Sequence, residues 1–222
     1  MRIEVKGIAK NYGKKQVLKD VGFSACEGQC IGILGGNGSG KSTLLSILAG
    51  VQGCDKGEFL CEGIDLLRSP ARRAELVGYV PQGTPLIEEL TARDNLLLWY
   101  DRAALKQELD HGVLAMLGIG EFLKTPVHKM SGGMKKRLSI GCAVAKHPPV
   151  LLLDEPMAAL DLVCKQSISA YLRRHKEAGG ILLFVTHDAY DLALCDEWYI
   201  LKDGIAVPFV YDGNIERLVR NL

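Results

Sequence analysis

The stretch Gly35-Gly36-Asn37-Gly38-Ser39-Gly40-Lys41-Ser42 decides the fold, because it fits G-x-x-x-x-G-K-[ST] between two recognisable elements. Before it runs the apolar Ile31-Gly32-Ile33-Leu34, which reads as a buried strand. After it, residues 40–49 carry a helical apolar rhythm that Gly50 closes. Glycines in such a turn let successive backbone N–H groups face inward around phosphate oxygens, and the new helix adds its positive end. Lys41 is placed to reach the β- and γ-phosphates, and Ser42, with Thr43 beside it, to offer a hydroxyl to Mg²⁺. The first expectation is a nucleotide site on a strand–turn–helix unit.

Further along, Val150-Leu151-Leu152-Leu153-Asp154-Glu155-Pro156 reads as an apolar strand ending in two acids. Asp154 suits the shell of a magnesium ion, and Glu155 suits the orientation and deprotonation of an attacking water. One helix, 161–178, joins strand 150–154 to strand 181–186, so the two strands should be parallel and end on the same sheet edge. The strands that finish at Leu34 and Val80 would end there too. Ligands of open α/β sheets bind at that edge. It gathers Gly35, Gln82, Asp154, Glu155 and His187. Gln82 brings a neutral amide oxygen for metal or water, and His187 a donor for the γ-phosphate.

The remaining chain fits around this core. Residues 1–34 read as short strands with turns at Asn11-Tyr12-Gly13 and Glu27-Gly28, and further strands are expected at 57–61, 76–80 and 198–202. From Thr91 to Gly118 the pattern is helical in two pieces, Thr91–Leu105 and Lys106–Gly118, and a helix over 132–146 is stopped by His147-Pro148-Pro149. A short helix is expected near 188–195. The result is an α/β core, about 1–83 and 146–222, interrupted by a helical lobe at about 84–145, all within one domain. Ser131 suits the cap of the helix that follows, and Gly132-Gly133 would leave N–H groups bare for an anion. The run Lys135-Lys136-Arg137 reads as a solvated helix face.

Composition narrows the function classes. The 222 residues are 48% hydrophobic and 24% charged, enough apolar material for a core. Lys plus Arg is 27 against 26 for Asp plus Glu. That balance argues against a nucleic-acid coat, and no nucleic acid is expected as a partner. No apolar run approaches the roughly 18 residues of a spanning helix, and the N-terminus lacks a secretory signal pattern. Seven cysteines without a C-x-x-C pair read as buried, reduced thiols of a cytosolic protein.

The set of motifs resembles the nucleotide-binding subunits of ABC transporters along essentially the whole chain: the P-loop, Gln82, Ser131-Gly132-Gly133-Met134, the Asp154-Glu155 strand, Ala158-Ala159-Leu160-Asp161 and His187 occur in that family's order. The resemblance implies a RecA-like P-loop NTPase core with an N-terminal antiparallel β subdomain and an inserted α-helical subdomain. It implies ATP and Mg²⁺ as cofactors, with Tyr12 stacking on adenine. Two such subunits, alike or related, would pair head to tail, so that Ser131, Gly132 and Gly133 cap the ATP on the partner's P-loop and Asp161 lies at the seam. A transmembrane permease subunit would dock on the helical lobe, on the inner face of the cell membrane. Met134 stands where the family commonly has Gln and resembles the export-type branch, and nothing regulatory is expected after Leu222. A soluble relative acting on ribosomes or DNA, or a regulatory module without turnover, are the competing expectations. A single P-loop and the presence of Glu155 weigh against them.

Overall fold

The computed structural model describes residues 1–158, 160–186, 192–211 and 220. Period-two alternation builds the first elements. In β1 (Arg2–Tyr12) and β2 (Lys15–Cys26), Ile3, Val5, Leu18, Val21 and Ala25 are buried while their neighbours face outward. The two pair antiparallel from Arg2 opposite Cys26 to Tyr12 opposite Lys15.

The strand β3 (Cys30–Leu34) is buried at every position and feeds the P-loop into α1 (Lys41–Ala49). There follow β4 (Lys56–Cys61), β5 (Ile64–Asp65), α2 (Pro70–Leu76) and β6 (Val77–Val80). The helical lobe holds α3 (Ala92–Leu96), α4 (Arg102–His111), α5 (Val113–Met116) and α6 (Gly132–Ala143), with two single 3₁₀ turns at Ile119–Phe122 and Val127–Lys129. The chain returns through β7 (Val150–Asp154), α7 (Leu162–Glu177), β8 (Ile181–Val185), β9 (Glu197–Lys202) and β10 (Ile205–Phe209).

Among the described residues the ten strands form one sheet in the order β5-β4-β1-β2-β10-β9-β3-β8-β7-β6. Its β9-β3-β8-β7-β6 half is parallel. The strands β3, β7 and β8 are apolar and buried throughout, as a parallel sheet covered on both faces requires. One cluster under this half contains Leu151, Leu153, Leu182 and Phe184 and runs into the helical lobe through Leu138 and Ile140. Ile31, Ile33, Leu152, Leu183 and α1 pack with the antiparallel half on the other face.

Several elements depart from the sequence expectations, each for a local reason. The helical stretch after Thr91 breaks into three helices. Asp101 accepts from Ala104 N at 2.8 Å and so starts α4, and Glu108 accepts from Val113 N at 2.8 Å where α5 begins. The strand β10 follows a tight Asp203-Gly204 turn with φ of 51° and 78°, a hairpin turn that the Asp-Gly pair encodes. The short β5 and α2 are likewise additions to the expected elements, and the helix expected near 188–195 falls largely outside the described residues.

The run Lys135-Lys136-Arg137 is not a solvated face. Lys136 is 5% exposed and donates to the carbonyls of Pro81 (3.1 Å) and Gln82 (3.2 Å). Lys135 pairs with Glu88 at 2.8 Å, and Arg137 donates to the Leu117 carbonyl over the Phe122 ring. Gly133, Lys136 and Ile140 share one buried stripe of α6, at the i, i+3, i+7 spacing of a core face. Of the seven cysteines, Cys26 is exposed and Cys54 half-buried, while the other five are buried. No helix of the described residues is long and apolar enough to cross a membrane.

Candidate nucleotide site

Four parallel strands deliver the site. Val80 pairs with Leu153, Asp154 with Val185, and Ile33 with Val185, so β6, β7, β8 and β3 finish level on one edge. Gly35, Gln82, Asp154, Glu155 and Thr186 leave from these ends. His187 lies outside the described residues.

The P-loop is drawn tight. A Cβ on Gly35 would stand 2.6 Å from the Leu201 carbonyl oxygen and 2.7 Å from Ser39 Oγ, so only glycine fits. The Lys41 ammonium donates back to the carbonyls of Gly35 (2.7 Å) and Gly36 (3.0 Å). Burial lowers its pKa, while the carboxylates of Glu155 and Asp154 pull the other way. Lys41 is therefore a nearly buried cation held over the loop that the glycines shape.

Opposite it, Gln82 Nε2 donates to Glu155 Oε2 at 2.9 Å, across 73 residues of chain. Glu155 has φ of 48°, a left-handed conformation that costs a non-glycine residue energy. Its N–H donates to the Val185 carbonyl at 2.7 Å, which anchors that turn to β8. Strain at the residue just after a strand, facing the P-loop, is the pattern expected of a positioned reactive group. Val17, Asn37, Thr43, Gln82, Glu155 and the P-loop backbone line a cleft of about 290 Å³.

Asp154 is 2% exposed, and its Oδ1 has no hydrogen-bond partner. Burial raises its pKa, and the neighbouring Ser42 hydroxyl, Lys136 and Lys41 oppose that. An orphaned buried carboxylate oxygen, a hydroxyl and a neutral amide oxygen are hard donors that fit Mg²⁺. The described residues hold no cluster of three or more His, Cys, Asp or Glu able to bind a metal.

Tyr12, the Ser131-Gly132-Gly133 turn and Asp161, all expected at the site, are not among the residues that line the cleft. Tyr12 is 49% exposed, and its hydroxyl bonds to Gln52. Gln52 is itself tied to the Ser46 hydroxyl and to the Thr43 carbonyl of α1. Sequence reasoning misses Gln52, and nothing in the local pattern marks it. Ser131 caps α6, accepting from Met134 N at 3.2 Å, and Asp161 caps α7, accepting from Cys164 N at 2.8 Å. A larger cavity of about 580 Å³ opens between α5 and α7, near Pro149 and Gly180 at the opposite ends of the strands. It holds none of the phosphate chemistry, so the smaller cleft is the functional candidate.

The ABC transporter family model matches residues 18–158, more than half of the chain. The chain belongs to the ABC transporter family. This cassette is 32% identical to the linearmycin resistance ATP-binding protein LnrL of Bacillus subtilis, over 91% of this chain and 67% of that one. It is 34% identical to the sulfate/thiosulfate import ATP-binding protein CysA of Yersinia pestis, over 98% of this chain and 60% of that one. It is 33% identical to the Nod factor export ATP-binding protein I of Sinorhizobium fredii, over 91% and 60%. The cassette thus spans about 60–67% of the length of these relatives. A dimeric ATP-binding cassette bound to ADP and Pi in a post-hydrolysis state superposes with a TM-score of 0.79 at 30% identity, covering 92% of this chain and 96% of that one. The fold is that of the ABC ATPase cassette, and the chain is an ATP-binding subunit of the ABC type.

Proposed function

We propose that this cassette hydrolyses ATP as one of a pair, and that the cycle drives a separate membrane permease in the export direction. The observation that carries the reading is the Gln82–Glu155 bond at 2.9 Å, set beside Lys41 and the orphaned Asp154 oxygen on one sheet edge.

In this reading ATP lies along the P-loop residues Gly35 to Thr43, with adenine on the Tyr12 ring. Lys41 holds the β- and γ-phosphates. Ser42, Asp154 and Gln82 hold Mg²⁺, which supplies positive charge to the phosphate oxygens when bound. Glu155 orients a water in line with the β–γ bond and takes its proton, and His187 steadies the γ-phosphate. The Ser131-Gly132-Gly133 turn, at the capped and positive end of α6, meets the nucleotide of the partner subunit. Asp161 lies at the seam between the two. The helical subdomain, about 84–145, would receive the permease. Ile87, Leu98 and Trp99 there expose apolar side chains, and Asn95 ties Ile87 to α3 through its side-chain amide. That docking would hold the cassette on the inner face of the membrane.

Export is supported by Met134 in place of the commoner glutamine and by the export protein among the relatives. The import relatives support the opposite direction, and the permease sequence decides between them.

The test is Glu155→Gln in the full chain. Turnover of MgATP should fall about 10²–10⁴-fold, and the variant should run as a dimer with MgATP in light scattering. Unchanged turnover, or a monomer at saturating MgATP, overturns the reading.

A further inference from the structure

Lys136 is a buried cation whose charge favours the ionised form of Asp154, yet its hydrogen bonds go to backbone carbonyls beyond β6. At 5% exposure it has left water, which is costly for an ammonium group unless its donors are met. Two of its partners are the carbonyls of consecutive residues, Pro81 at 3.1 Å and Gln82 at 3.2 Å. Those carbonyls belong to the short turn that carries the Gln82 side chain from the end of β6 to Glu155. Lys136 itself stands one helical turn beyond Gly132, on the helix whose first turn is Ser131-Gly132-Gly133. One side chain therefore joins the anion-facing end of α6 to the backbone that aims Gln82.

We propose that Lys136 is a positioning residue, fixing the Pro81–Gln82 backbone to α6 so that the Gln82 amide reaches the Glu155 carboxylate. The inference rests on the reading of Gln82 and Glu155 as groups at the γ-phosphate. It adds that movement of α6 is delivered to them through Lys136, a route from the turn that meets the partner's nucleotide to this chain's own reacting groups. A lysine that only filled space between α6 and β6 would leave Gln82 indifferent to its loss.

A double-mutant cycle on MgATP hydrolysis by the full chain separates the two. Lys136→Met should lower kcat about 10-fold and move KM for MgATP by less than about 2-fold, because the P-loop is untouched. In a Gln82→Ala background the same substitution should cost less than about 2-fold, since the side chain it positions is gone. Equal losses in both backgrounds, or a loss confined to KM, overturn the proposal. Should Lys136→Met yield no folded protein, Lys136→Gln goes through the same cycle under the same two criteria. Glu155→Gln distinguishes a failure of the site from a failure of the link. Full turnover in that variant refutes the site itself, whereas turnover lost there with Lys136 and Gln82 uncoupled refutes only the role of Lys136.

Discussion

Cys164 Sγ occupies the space that a Cβ on Gly133 would need, 2.6 Å from its ideal position. Gly133 lies in the first turn of α6, and Cys164 lies in the first turn of α7, where its N–H is held by the Asp161 carboxylate. The Ser131-Gly132-Gly133 turn and Asp161, both assigned to the seam, are therefore packed together within one chain. That contact explains a glycine for which φ gives no reason, since Gly133 is an ordinary helical residue.

Gly133→Ala should destabilise the chain by about 1–3 kcal/mol through overpacking. For a chain this long, that lowers Tm by about 2–4 °C per kcal/mol. Cys164→Ala in the same background removes the sulfur and should return most of the loss. Thermal unfolding of the two single variants and the pair checks this, and no rescue in the pair would show that Cys164 is not the obstacle.

The nucleotide core is legible in the sequence because its chemistry is local. Glycines, Lys41 and Ser42 follow one another, and Asp154-Glu155 end an unbroken apolar strand, so parallel topology is enough to bring them together. What stays hidden depends on contacts across the chain. Lys136 resembles a surface residue because its run is basic, yet its carbonyl partners are 54 and 55 residues away. Its spacing from Gly133 and Ile140 is the available warning. The strand β10 can be read from Asp203-Gly204, whereas the break before α4 needs Asp101 recognised as a cap inside an apparently continuous helix.

Tyr12 offers a second prediction. Its hydroxyl is held by Gln52, and Gln52 by α1, so the ring is fixed relative to the P-loop while half of it stays open to solvent. Base–aromatic stacking is worth about 1–3 kcal/mol, so Tyr12→Ala should weaken nucleotide binding about 5- to 150-fold. Tyr12→Phe keeps the ring and loses only the tether, and should cost a few-fold at most, as should Gln52→Ala. Equilibrium titration with MgADP, which is not consumed, reads all three. Equal affinity in Tyr12→Ala would remove Tyr12 from the site.

The larger cavity leads to a prediction about pH. His175 lines it, half-buried, with its Nε2 buried without a partner. Burial lowers its pKa below 6.5, and the backbone of Pro149 opposes this without overcoming it. The folded chain thus resists protonation that the unfolded chain accepts. As pH falls through 6.5 the unfolded state binds more protons, so stability is lost progressively until the lowered folded pKa is reached, and is recovered as pH rises again. His175→Asn keeps a polar side chain at this position but cannot titrate. Wild type and variant should therefore differ in slope: between pH 7.5 and 5.5 the Tm of the variant should fall less, by about 2–4 °C for each kcal/mol of linkage removed. Parallel Tm curves for the two proteins over that interval would show that another group carries the acid sensitivity.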